Sequence, residues 1–240
     1  MKIGAVVVAA GVGQRMGGPV PKAYLPLAGK PILAHTLEIF EAVPEVHEVT
    51  VVANPNDLEY CQDKVINPFG FKKVLRLVPG GKERQDSVYH ALKALKDEEL
   101  EIILVHDAVR PLVTPEAIRL VIHGAQKHGG AILGRPAFDT LKRVNPQGEV
   151  VQTLERKDIW LIQTPQGFRA ELLWRAFTEA YSRDYYGTDE ASLVEQLGAP
   201  VLVLPGSPYN LKITTPEDLR VAEALLPVVR SLQHESRTGI

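Results

Sequence analysis

Six short runs rich in Val, Ile and Leu punctuate this chain: IGAVVVAA, VHEVTVVA, KKVLRLV, EIILVHD, GAILGRP and APVLVLPG. Between most of them lie stretches whose apolar residues recur at helical spacing, such as PILAHTLEIFEAV and DSVYHALKALKD. Short buried strands alternating with amphipathic helices predict right-handed βαβ crossovers and a mainly parallel sheet with helices on both faces, an α/β fold of Rossmann-like type. In such open sheets ligands sit beyond the carboxyl ends of the strands, so the residues just after each apolar run carry the most functional information.

The pattern changes between about 136 and 160, where PAFDTLKRVNPQGEVVQTLERKDIW holds two short alternating runs around an NPQGE turn. This predicts a β-hairpin arm. Its apolar surface is too small for a core of its own, so the arm is expected to lean on the main domain or on a second subunit. The rest, residues 1–230, is expected to form one domain, as an α/β chain of 240 residues can. The ending RSLQHESRTGI is polar, and residues 231–240 are expected to be a frayed tail.

Composition narrows the function classes. A net charge of −2 supplies no broad basic field for coating nucleic acid, so any phosphate chemistry must be local. Cys61 is the single cysteine, which removes an internal disulfide or a cysteine zinc cluster and points to a reducing, cytoplasmic compartment. The Val-rich opening reads as a buried strand rather than a secretion leader, and no stretch has the length of a membrane span.

The first loop, AAGVGQRMGGPVPKAYL, fails two familiar phosphate motifs. A dinucleotide fingerprint would place its third glycine one residue earlier and an acid after the second strand, where VVANPND offers none at Ala53 or Asn54. Neither Gly29-Lys30 nor Gly81-Lys82 is followed by Ser or Thr, which excludes a Walker A loop. What remains is a long glycine-rich loop (Ala9, Ala10, Gly11, Gly13) with Arg15 and Lys22. It suits a triphosphate, because converging backbone N–H groups and two cations together match that charge.

Asp107 closes the apolar run IILVHD at a strand's carboxyl edge, with Arg110 nearby, and offers a hard oxygen ligand for Mg²⁺. Thr114 is the better placed cap for the helix that begins near Pro115, and His106 reads as a packing histidine more readily than as a base. A third feature, VPGGKERQDSV, puts Gly80 and Gly81 between a strand and a helix, with Asp86 or Ser87 able to cap that helix or to read a base edge.

These pieces, with DTLKR, ERKDIWLIQTPQ, TDEASLVE and NLKITTPEDL, follow one another in an order that closely resembles the 2-C-methyl-D-erythritol 4-phosphate cytidylyltransferases of the non-mevalonate isoprenoid pathway. The resemblance covers residues 3 to about 224 and implies a nucleotidyltransferase fold. It implies that Arg15, Lys22 and Lys212 are catalytic and that Ala9, Ala10, Gly11, Gly13, Gly80, Gly81, Ser87 and Asp107 hold CTP. It further implies that Asp107 holds Mg²⁺, and that Arg110, Thr140, Arg156, Thr164 and Thr188 hold the sugar-alcohol phosphate. A homodimer is implied too, with arm residues of one subunit reaching its partner's site. Two readings stand beside it: a ribitol 5-phosphate cytidylyltransferase, which shares several of these motifs, and a non-catalytic nucleotide-sensing domain of the same fold.

Overall fold

A computed structural model describes residues 1–11 and 20–238, with side chains as far as Leu232. Gly13 and Arg15 therefore lie outside the described residues. The main strands are β1 (Ile3–Val8), β2 (Glu48–Ala53), β3 (Val74–Pro79), β4 (Ile102–Asp107), β5 (Gly130–Pro136), β6 (Leu141–Val144), β7 (Val150–Leu154), β8 (Trp160–Arg169) and β9 (Leu202–Pro205). The main helices are α1 (Ile32–Glu41), α2 (Arg84–Ala94), α3 (Pro115–His128), α4 (Ala170–Ser182), α5 (Glu190–Gln196) and α6 (Pro216–Thr238).

The central sheet has seven strands in the order β9-β5-β8-β4-β1-β2-β3. Every neighbouring pair is parallel except the two made by β8. Both faces are covered, as the apolar runs require. Ile3, Ala5 and Val7 of β1 join a core with Leu33 of α1, Val121 of α3 and Ala222 of α6. Val6 points the other way, into a core with Val88 of α2, Phe177 of α4 and Leu193 of α5. This alternation along one strand is the period-two pattern of a sheet buried on both sides.

Register places the site. Val8 is level with both Val52 and Asp107, and Ala53 is level with Pro79. The chain segments that follow β1, β2 and β3 therefore leave the sheet beside Asp107, along one edge.

Strand β8 is the element that the apolar pattern did not announce. Its sequence WLIQTPQGFR contains Pro165, which ordinarily argues against a central strand because proline cannot donate to the ladder. Here the pairing with β5 slips between Gln163 and Gln166, so Pro165 sits in the irregularity and needs no ladder bond. The tail also differs from expectation: α6 continues to Thr238, through residues read as frayed, because no Gly or Pro interrupts them before Gly239. The arm has the expected form, β6 pairing antiparallel with β7. Among the described residues no helix is long and apolar enough to cross a membrane.

Candidate active site

A cleft of about 370 Å³ opens at the carboxyl edge of β1, β2 and β4. Ala9, Ala10 and Gly11 line it from the end of β1, with Lys22 from the short 3-10 turn Lys22–Tyr24. Gly81, Arg84 and Ser87 line it from the start of α2, while Asp107 and Lys212 complete it.

The turn between β3 and α2 is glycine for reasons of space. A Cβ on Gly80 would stand 2.4 Å from the Cβ of Ala10, and one on Gly81 would stand 2.3 Å from the Cβ of Asp86. The two loops that frame the cleft are thus in direct contact through Gly80. Ser87 fixes the turn from below, its hydroxyl accepting from the Gly81 N–H at 3.0 Å and donating to the Glu83 carbonyl at 3.1 Å. Asp86, the alternative to Ser87 as a base reader, is instead committed to a capping box with Glu83.

Asp107 is buried and surrounded by cations. Its Oδ2 lies 2.9 Å from Lys212 Nζ and 3.5 Å from Arg110 Nε, and its Oδ1 lies 3.3 Å from Arg84 Nε. Burial opposes its charge, but Arg84, Lys212 and Arg110 overcome that and hold the carboxyl well below its usual range. Arg84 also forks onto the buried carboxylate of Glu190 at 2.6 and 3.2 Å, and the two acids keep its own proton bound against burial. Among the described lining residues Lys22, Lys82, Arg84 and Lys212 stand against Glu83 and Asp107, four cations to two carboxylates and so two net positive charges. A polyanion is the ligand that such a cleft suits.

Lys212 is aimed by its neighbours in the chain. The Ile213 N–H donates to the Val109 carbonyl, and Arg110 donates to the Asn210 carbonyl at 2.7 Å. The Asn210 amide donates to the Thr164 carbonyl at 2.8 Å. The segment carrying Lys212 is in this way pinned to the strand end that carries Asp107.

His106 has no access to a substrate. It is fully buried, and its Nε2 faces the Arg110 carbonyl at 3.2 Å. A carbonyl can only accept, which assigns the ring proton to Nε2 and leaves Nδ1 to accept from the Thr164 hydroxyl at 3.0 Å. Burial pushes the imidazole down to about 4, so it stays neutral at physiological pH.

The expected substrate contacts fall at buried, arm and surface positions. Thr164 is buried, and its hydroxyl is engaged by His106 and by the Asp107 N–H at 3.1 Å, so it orients Asp107 instead of facing the cleft. Arg110 is likewise buried and linked to Asp107 and Asn210. Thr140 and Arg156 are exposed on the arm, away from the cleft lining, and Arg156 donates to the Phe138 carbonyl. Thr188 is exposed beside the Arg84–Glu190 pair, one residue before the cap of α5, which is Asp189. Sequence reading did not single out Arg84, Gln85 and Glu190. Their signal is position: two polar residues in the first turn after a glycine turn, and an acid that the fold buries.

Sheet order, glycine-framed cleft and cationic edge define an α/β protein of nucleotidyltransferase type. The model of the 2-C-methyl-D-erythritol 4-phosphate cytidylyltransferase family matches residues 3–228, and the chain belongs to that family. The enzyme so named in Syntrophus aciditrophicus is 45% identical over 225 residues, which cover 94% of this chain and 96% of that protein. Its namesake in Pelotomaculum thermopropionicum is 46% identical over 225 residues, covering 94% of each chain. The crystal structure of 4-diphosphocytidyl-2C-methyl-D-erythritol synthase from Anaerococcus prevotii superposes with a TM-score of 0.81 at 31% identity, covering 94% of this chain and 96% of that one. The 2-C-methyl-D-erythritol 4-phosphate cytidylyltransferase from Thermus thermophilus gives 0.77 at 34% identity, over 94% of this chain and 98% of that one.

Proposed function

We propose that this protein transfers CMP from CTP to 2-C-methyl-D-erythritol 4-phosphate, giving the cytidine diphosphate of the sugar alcohol and pyrophosphate. The observation that carries the reading is the cleft itself. Lys22, Lys212 and Asp107 meet where the segments after β1 and β3 close around a cavity.

The chemistry asks for little beyond position and charge. A phosphate monoester is largely dianionic near neutral pH, its second pKa being about 6, so it attacks without a general base. Its oxygen forms a bond to the α-phosphorus of CTP as the bond to the bridging oxygen of the β-phosphate breaks, and pyrophosphate leaves with that electron pair. Lys22 and Lys212, with Arg15 from the first loop, stabilise the charge that gathers on the α-phosphoryl oxygens. The Gly80–Gly81 turn, braced by Ser87, offers its backbone to cytosine. The neutral, buried His106 takes no part in proton transfer and holds Thr164, and through it the backbone of Asp107.

Asp107 fits a magnesium ion of the kind held by one carboxylate together with substrate phosphates and water: it is ionised and lines the cleft. Among the described residues no group of three or more His, Cys, Asp or Glu side chains forms a cage, so the ion would arrive with the nucleotide. When bound, it would neutralise charge on the nucleotide's phosphates.

We further propose a homodimer joined through the arm, with Thr140 and Arg156 serving the partner's cleft. Neither lines its own chain's cleft, and Phe138, Val144, Val150, Val151 and Leu161 on and beside the arm are each more than half exposed. Exposed apolar side chains gathered on one protruding element suit an interface. The buried, unpaired Cys61 supports a reducing compartment.

Pyrophosphate release from CTP, followed with methylerythritol 4-phosphate and separately with ribitol 5-phosphate, tests the assignment. Release with the first alone is expected, and Lys212→Ala should lower kcat about 100- to 1,000-fold. Faster release with the ribitol ester would reassign the substrate, and no release with either would leave a nucleotide-binding domain.

A further inference from the structure

Three consecutive side chains at the start of α2 each hold a different point of segment 181–190. Arg84 forks onto Glu190. Asp86 Oδ1 accepts from the hydroxyls of Tyr181 at 2.7 Å and Tyr186 at 3.1 Å. Between them the buried amide of Gln85 makes a two-point bond to backbone: Nε2 donates to the Tyr185 carbonyl at 3.0 Å, and Oε1 accepts from the Gly187 N–H at 2.9 Å. Gln166 acts similarly on the other side, donating to Asp189 at 2.7 Å and accepting from the Ala191 N–H at 3.0 Å.

Thr188 is the residue left between these two amide clamps. Its neighbour Gly187 is seated without clearance, since a Cβ there would fall 2.2 Å from Ser192 Oγ and 2.7 Å from a Leu193 methyl. The same helix start that grips this segment also carries the nucleotide turn, through Ser87 and Gly81.

We propose that Gln85 is a positioning residue for the second substrate: its side-chain amide locks the Tyr185–Gly187 backbone to the nucleotide turn and so sets Thr188 in place. This rests on the reading of Thr188 as a contact of the sugar phosphate. The position needs an amide, because one donor and one acceptor must be presented together. A carboxylate would offer two acceptors and repel the Tyr185 carbonyl.

The test compares the two substrates in the full-length protein. Gln85→Ala should raise KM for methylerythritol 4-phosphate about tenfold, as expected for two lost hydrogen bonds, and leave the Kd for CTP within about twofold. Gly187→Ala, which strains the segment from its other side, should give the same split. Gln85→Glu should show a penalty that shrinks towards acid pH, as the carboxyl, its proton affinity raised by burial, gains the proton it needs to donate. Amide hydrogen exchange should show Gly187 losing protection in both Gln85 variants at neutral pH. A fall in melting temperature with both substrates weakened alike, or with neither, would reduce Gln85 to a packing residue and overturn the proposal. Wild-type protein that releases no pyrophosphate would instead overturn the transfer reading, and the substrate role of Gln85 with it, even if Gly187 protection still depended on that side chain.

Discussion

Asp107 and His106 are adjacent in sequence, and the fold gives them opposite charge states. Asp107 is kept ionised by Arg84, Lys212 and Arg110, whereas His106 is kept neutral by complete burial among Phe40, Thr164 and the Arg110 carbonyl. The histidine has a consequence for stability. Its ordinary value is 6.5 and its folded value about 4, so between those limits the unfolded chain binds a proton that the native chain refuses. Stability therefore rises with pH through that window and is lost as pH falls from 6.5 towards 4. Denaturant midpoints measured across the window should fall steeply towards acid for the wild type. His106→Gln, which keeps one donor and one acceptor, should flatten that slope; an unchanged slope would place the acid sensitivity elsewhere. At this scale the apolar run alone put Asp107 at a strand end, and the fold brings Lys22 and Lys212 to the cleft beside it. The sequence read poorly where burial decides, because nothing in the spelling of Thr164 or Arg110 shows that the fold turns them inward.

The elements that frame the site are legible for a related reason. Apolar runs covered on both faces have to be central strands, and the residues after β1, β3 and β4 then reach one edge by register alone. Strand β8 was hidden because Pro165 is tolerated only through an irregularity that pairing with β5 creates, a tertiary fact. Gly80 is the position at which two loops depend on each other. Gly80→Ala would drive a methyl into Ala10 and crowd Ser87 Oγ at 3.0 Å. Overpacking of this sort costs about 1–3 kcal/mol, so CTP affinity measured by calorimetry should drop about tenfold or more. Adding Ala10→Gly removes the opposing Cβ and should restore much of the loss. A double variant no better than the single one would show that the contact between the loops is not what holds the cleft.

For the whole molecule, the homodimer proposed through the arm would build each working site from two chains. Core and arm residues in different chains predict complementation: Lys22→Ala and Arg156→Ala homodimers should each be nearly inactive, yet unfolding and reassembling them together should restore activity. Random pairing makes half the dimers mixed, each with one site carrying both lesions and one carrying neither, so about one quarter of wild-type activity should return under two-fold symmetry. No recovery, with mixed dimers verified by mass, would assign Arg156 to its own chain's site. A cleft that joins a nucleotide to a sugar phosphate makes a new phosphorus–oxygen bond, and phosphorus NMR reads that bond itself. With protein, CTP, magnesium and methylerythritol 4-phosphate, two coupled diphosphate resonances of a mixed cytidine diphosphate should grow in step with pyrophosphate. Growth of CMP or inorganic phosphate in their place, or a spectrum that does not change, would contradict the transfer reading.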